Sequence, residues 1–130
     1  MIVVDASVVV EVLLRTPAAD AIAERLFTPR ETLHAPHIMD VEVTQVLRRY
    51  VARGEVEAEH GRSLVALLGQ FPITRHPHQP LLARMWELRD NLTAYDAAYV
   101  ALAEGLRATL LTRDQRLASA PGAVAQVELI

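Results

Sequence analysis

Residues 92–118, LTAYDAAYVALAEGLRATLLTRDQRLA, carry a helix directly into a short strand. Thr93 reads as the cap of an Ala-rich helix reaching about Glu104, and Ala108–Thr112 reads as a buried strand that stops just before Asp114. The N-terminus repeats the second half of this pattern. Met1–Val4 is an apolar run of strand length ending at Asp5, with helical sequence behind it. Two buried strands that each end beside an acid and each feed a helix predict a parallel α/β architecture.

Between them the periodicity predicts helices near Ser7–Leu14 and Pro17–Phe27, then a strand over Thr32–Ala35. A longer helix is expected from Pro36 to about Arg53, closed by Gly54. Glu55–Gly69 reads as a further helix, Phe71–Arg75 as a strand, Leu81–Arg89 as a helix and Val124–Leu129 as a last strand. No repeat, low-complexity segment or linker interrupts the series. The expectation is one domain over residues 1–130, a three-layer α/β/α sandwich around a central, mainly parallel sheet.

Composition narrows the chemistry. A chain of 130 residues that is 52% hydrophobic and 22% charged can bury a real core. The absence of cysteine excludes disulfides, thiolate metal sites and cysteine nucleophiles. Asp5 and Glu11 interrupt the apolar start and no basic segment precedes it, so neither a signal peptide nor a membrane span is expected, and the protein reads as cytoplasmic. The net charge of −3 lacks the basic footprint common in nucleic-acid binders. The balance is a sum over the whole chain and does not describe a local site, and all 13 basic residues here are arginine.

Four acids occupy informative places. Asp5 and Asp114 lie at strand ends, where ligand crevices of open α/β sheets form, although each also precedes helical sequence and suits an N-cap. Glu42 falls on the flank of a helix stripe made by Met39, Val43, Val46 and Tyr50; its alternative is a half-exposed acid paired with Arg49 or Arg53. Asp96 shares a helix face with Tyr99, Val100 and Ala103, or completes a capping box with Thr93. Tyr95 and Tyr99 read as core residues, and Trp86 as packed internally or at a contact between copies. Gathered in one pocket, four carboxylates repel one another unless a cation neutralises them. An all-oxygen donor set without cysteine favours Mg²⁺ or Mn²⁺.

The segments VVDASVVVEVLL (3–14), APHIMDVEVTQVLRR (35–49), LTAYDAAYVALAE (92–104) and LLTRDQRLA (110–118) resemble PIN-domain ribonucleases, and among them the VapC toxins of bacterial toxin–antitoxin pairs. The likeness spans nearly the whole chain, in order. It implies that Asp5, Glu42, Asp96 and Asp114 form the catalytic, metal-holding set, with the hydroxyls of Ser7 and Thr112 beside it. Some members carry a further acid where Arg116 stands here, which leaves one or two ions open. The resemblance also implies Mg²⁺ or Mn²⁺ dependence, endonucleolytic cleavage of RNA that inhibits translation, a homodimer, and a small VapB-like antitoxin whose tail enters the active-site groove. RNA phosphates would meet Arg49, Arg53, Arg113 and Arg116, each of which also suits an ordinary solvated face. Receiver domains need a lysine that this chain lacks, and haloacid-dehalogenase-like phosphatases need a second aspartate where Ser7 stands. A PIN-like interaction domain without catalysis is the alternative from another class.

Overall fold

A computed structural model describes all residues, Met1–Ile130. Five strands form one sheet in the order β3-β2-β1-β4-β5: β1 (Ile2–Val4), β2 (Leu33–Pro36), β3 (Ile73–His76), β4 (Thr109–Thr112) and β5 (Val127–Leu129). Every neighbouring pair is parallel, with Val3 opposite both His34 and Leu110. The expected architecture is therefore present, and the sheet is parallel throughout. Ile2, Val3 and Val4 are all buried, as is usual for a central parallel strand covered on both faces.

The connections are α1 (Ala6–Leu14) and α2 (Ala19–Leu26), α3 (Ile38–Ala52) and α4 (Ala58–Gln70), then α5 (Leu82–Glu87) and α6 (Ala94–Leu106), and finally the one-turn α7 (Gln115–Ala118). The chain builds outward from β1 through β2 to β3, then returns across the sheet to add β4 on the other side of β1. Parallel crossovers are right-handed, so reversing the direction of travel moves the helices to the opposite face. The packing agrees: α1 lies against α2, α3 and α4, whereas α6 lies against α5 and across β1, β2 and β4. The reversal falls between β1 and β4, and it is there that such sheets open a crevice beyond their strand ends.

Several boundaries differ from the sequence expectation. Pro36 is the last residue of β2 and not the start of α3, because a proline at a strand end forfeits no needed ladder donor. The inward stripe of α3 is Met39, Val43 and Leu47, with Val46 and Tyr50 only half-buried, so the helix is turned from the orientation expected. Leu81–Arg89 divides into a 3₁₀ turn (Gln79–Leu81) and the short α5, whose Trp86 is 69% exposed under the Arg89 guanidinium. Gly54 ends the α3 segment as expected, at a φ of 74° that only glycine adopts without strain. No helix is long and apolar enough to cross a membrane.

Candidate active site

Asp5 follows β1 directly. Its amide donates to the Leu111 carbonyl and its own carbonyl accepts from Val8 and Val9, so one residue closes the β1–β4 ladder and opens α1. It occupies the N-cap position in extended conformation, yet its side chain caps nothing, and the capping reading fails for this residue. Instead Oδ2 accepts from Ser7 Oγ at 2.8 Å and from Thr112 Oγ1 at 2.7 Å. Thr112 is fully buried at the end of β4 and also accepts from the Asp114 amide at 3.0 Å. Ser7 accepts from the Arg113 amide at 3.2 Å. Two hydroxyls thus tie the ends of β1 and β4 to one oxygen of a 7% exposed carboxylate.

The other three acids meet Asp5 across an open cleft of about 550 Å³, lined by Asp5, Ser7, Glu42, Asp96 and Asp114, with Gln45, Arg49 and Tyr95 on its walls. Glu42 takes a 2.8 Å hydrogen bond from the Tyr99 hydroxyl and pairs with neither Arg49 nor Arg53. Asp114 does serve as a cap, accepting from the Arg116 amide at 2.9 Å, and its second oxygen faces the Arg116 guanidinium at 3.4 Å. The Asp96 amide donates to Thr93 Oγ1, half of the expected capping box, while the carboxylate borders the cleft. Capping and site membership therefore coincide at Asp114, whereas at Asp96 only the amide joins the cap.

The electrostatics show a crowd of negative charge. Burial pushes the Glu42 carboxyl up from its ordinary value, the Tyr99 hydrogen bond opposes this, and the charges of Asp5 and Asp96 push it further. Burial likewise raises Asp96, followed by repulsion from Asp5 and Asp114. Asp114 goes the other way: against a burial effect that raises it, the guanidinium and amide of Arg116 hold it low. As the side chains stand, no three acids or histidines are drawn together tightly enough to clasp an ion. Tyr99 holds Glu42 by one oxygen and the Arg116 guanidinium faces Asp114, so closing on a cation requires the Arg116 contact to give.

A carboxyl raised on folding is most comfortable protonated, so its contribution to stability is present below the ordinary value of 4.5 and is lost as pH rises through the folded one. In chelator at neutral pH, Glu42→Gln is therefore expected to melt above the parent, with the advantage shrinking on acidification and gone below about 4.5. Thermal melts across that range check it; a variant that melts lower at neutral pH contradicts the sign.

The PIN domain family model matches residues 2–123. The chain belongs to the PIN-domain family. This PIN domain is 45% identical over 130 residues to "Ribonuclease VapC12" of Mycobacterium tuberculosis, covering 100% of this chain and 99% of the relative. It is 43% identical over 129 residues to "Ribonuclease VapC1" of the same organism, covering 98% and 96%. Among solved structures, the crystal structure of VapBC2 from Rickettsia felis bound to a promoter DNA fragment superposes with a TM-score of 0.74 at 15% identity, covering 99% and 98% of the two chains, which speaks for the fold.

Of the expected site residues, the PIN domain brings Asp5, Ser7, Glu42, Asp96, Asp114 and Arg49 to the cleft and Thr112 directly beneath it. Arg53 is exposed at the C-terminal end of α3, outside the cleft lining. Arg113 turns its side chain to Glu11 and to the Ile130 carbonyl at 2.7 Å, and Arg116 lies over Asp114. Tyr95, expected in the core, is 59% exposed on the cleft wall, because it sits in the first turn of α6 beyond the cover of neighbouring helices. Sequence reasoning placed Tyr99 in the core, and it is there at 0% exposure; its hydroxyl partner, 57 residues away, was not legible.

Proposed function

We propose that this PIN domain is a divalent-metal-dependent endoribonuclease, the toxin of a type II toxin–antitoxin pair that inhibits translation in the cytoplasm. The observation that carries the reading is the gathering of four carboxylates from four separated segments on one cleft at the switch point of a parallel sheet. Relatives aligned over almost their full length are named ribonucleases.

The donor set suits a hard cation. All four candidate ligands offer oxygen, and two of them, Glu42 and Asp96, are pushed towards protonation first by burial and then by repulsion from neighbouring acids, which a cation would relieve. Asp5, Asp96 and Asp114 would hold Mg²⁺ or Mn²⁺, with Glu42 completing the shell directly or through water. When bound, such an ion supplies positive charge to the phosphoryl oxygens and acidity to an attacking water. The protein's share is orientation. Ser7 and Thr112 hold Asp5 by Oδ2, leaving Oδ1 without a protein donor, and Tyr99 holds Glu42. Arg49 stands on the cleft wall without an acidic partner, free to meet a phosphate of the RNA, while Arg53, Arg113 and Arg116 would serve strands leaving the cleft. Leu82, Trp86 and Tyr95 stand exposed on α5 and α6 and offer an apolar face to a second copy in the homodimer. The acidic cleft in turn suits a basic residue on the tail of a small VapB-like antitoxin.

The test uses the purified full chain and a mixed RNA pool. Cleavage is expected with Mg²⁺ or Mn²⁺, to stop in EDTA, and to return when excess Mn²⁺ is added. Cleavage that persists in EDTA overturns the metal dependence. No cleavage under any of these conditions favours the interaction-domain reading.

A further inference from the structure

Tyr99 is the largest of the fully buried side chains, and it lies in the middle of α6. A phenylalanine would fill nearly the same volume without bringing a hydroxyl into the interior, where an unpaired polar group costs free energy. The hydroxyl present donates to Glu42 Oε1 at 2.8 Å across the gap between α6 and α3. No protein donor engages Oε2 of Glu42. Asp5 shows the same pattern, since both of its hydroxyl donors converge on Oδ2 and leave Oδ1 free. At two of the four cleft-lining acids, then, buried or half-buried hydroxyls tie one oxygen and leave its twin without a protein donor.

We infer that Tyr99 is a positioning residue for the proposed cation site, fixing Glu42 by one oxygen so that the other is presented to the ion. The inference rests on the metal reading above and goes beyond it in assigning a residue that touches neither ion nor substrate. Glutamate has three rotatable side-chain bonds, and Glu42 lies on the flank of α3 with solvent within reach. Left unanchored, it would swing outward, because burial disfavours its charged form. Tyr99 removes that freedom. It also sits three residues after Asp96, about one helical turn, so α6 supplies its own carboxylate to the cleft and sets the position of the one on α3. Groups that hydrogen-bond to a metal ligand orient it, and their loss typically weakens metal binding by about 10- to 100-fold.

The experiment measures Mn²⁺ dissociation constants on the RNA-free full chain, from the electron paramagnetic resonance signal of free Mn²⁺. Parent, Tyr99→Phe, Glu42→Gln and the double variant are compared. Tyr99→Phe is expected to weaken Mn²⁺ by about 10- to 100-fold, and to have roughly no further effect once Glu42 is Gln. Equal weakening in both backgrounds, or Mn²⁺ affinity unchanged in Tyr99→Phe, overturns the assignment. Should Tyr99→Phe fail to fold, ¹³Cζ-tyrosine spectra of the parent decide. The Tyr99 resonance is expected to move on addition of Mg²⁺ in the parent and not in Glu42→Gln; a resonance that stays in place in the parent overturns the role. A parent that binds no Mn²⁺ at all overturns the metal reading itself. A parent that binds while Tyr99→Phe binds equally well overturns only the role of Tyr99.

Discussion

Asp5→Asn is expected to lower RNA cleavage by at least ~10³-fold, equivalent to about 4 kcal/mol of transition-state stabilisation, while leaving the fold as stable as before or slightly more so. The two halves of this result have one electrostatic cause. The carboxylate of Asp5 adds to the raised protonation of both Glu42 and Asp96, so neutralising it relieves repulsion within the metal-free cleft. Asparagine keeps the shape and one oxygen, which can still accept from Ser7 and Thr112, so the junction of β1 and β4 stays tied. What is lost is the negative charge that a cation requires. Cleavage assays at saturating Mn²⁺ beside thermal melts in chelator check the pair of effects. Turnover near the parental level would remove Asp5 from the catalytic set. A large fall in melting temperature would mean that its charge holds the fold together.

Leu110→Ala is expected to cost about 3 kcal/mol of stability, within the 2–5 kcal/mol typical of buried Leu-to-Ala changes, against a total for such domains of roughly 5–15 kcal/mol. Leu110 is completely buried in β4, opposite Val3 of β1 and Val127 of β5. A central parallel strand is covered on both faces, so backbone and helices cannot readily collapse into the space vacated. Chemical denaturation of the metal-free chain measures the loss, and Mn²⁺ should restore part of it by binding only the folded form. A change below about 1 kcal/mol would indicate that the β4 layer is loosely packed. The contrast with Asp5 is physical: the core residue stabilises the fold and leaves the chemistry alone, whereas the cleft acid does the reverse.

Much of this division is visible in the residues themselves. The strands ahead of Asp5 and Asp114 were legible because a central parallel strand is buried on both faces, and the apolar runs Ile2–Val4 and Leu110–Leu111 each stop shortly before an acid. The long helices over Ile38–Ala52 and Ala94–Leu106 were legible from their apolar spacing. Orientation was harder. The buried stripe of α3 runs through Leu47 and leaves Val46 and Tyr50 at its edge, because adjacent apolar positions satisfy a helical period about equally well and packing selects between them. Tyr95 and Tyr99 show the same limit from the other side. They lie four residues apart on one helix, and only the cover supplied by neighbouring elements leaves the first in solvent and takes the second into the core.

The order of residues by itself determined the alternation of strands and helices, the oxygen-only donor chemistry, and the candidacy of Asp5, Glu42, Asp96 and Asp114, since these follow from local periodicity and from which side chains are present. The tertiary structure alone decided that the sheet reverses between β1 and β4, that both hydroxyls reach the same oxygen of Asp5, and that Glu42 is held by Tyr99 and not by an arginine of its own helix. Contacts between residues 57 or 107 positions apart leave no trace in local spacing. They come into being only when burial forces each polar group to find a partner among whatever the fold has brought beside it.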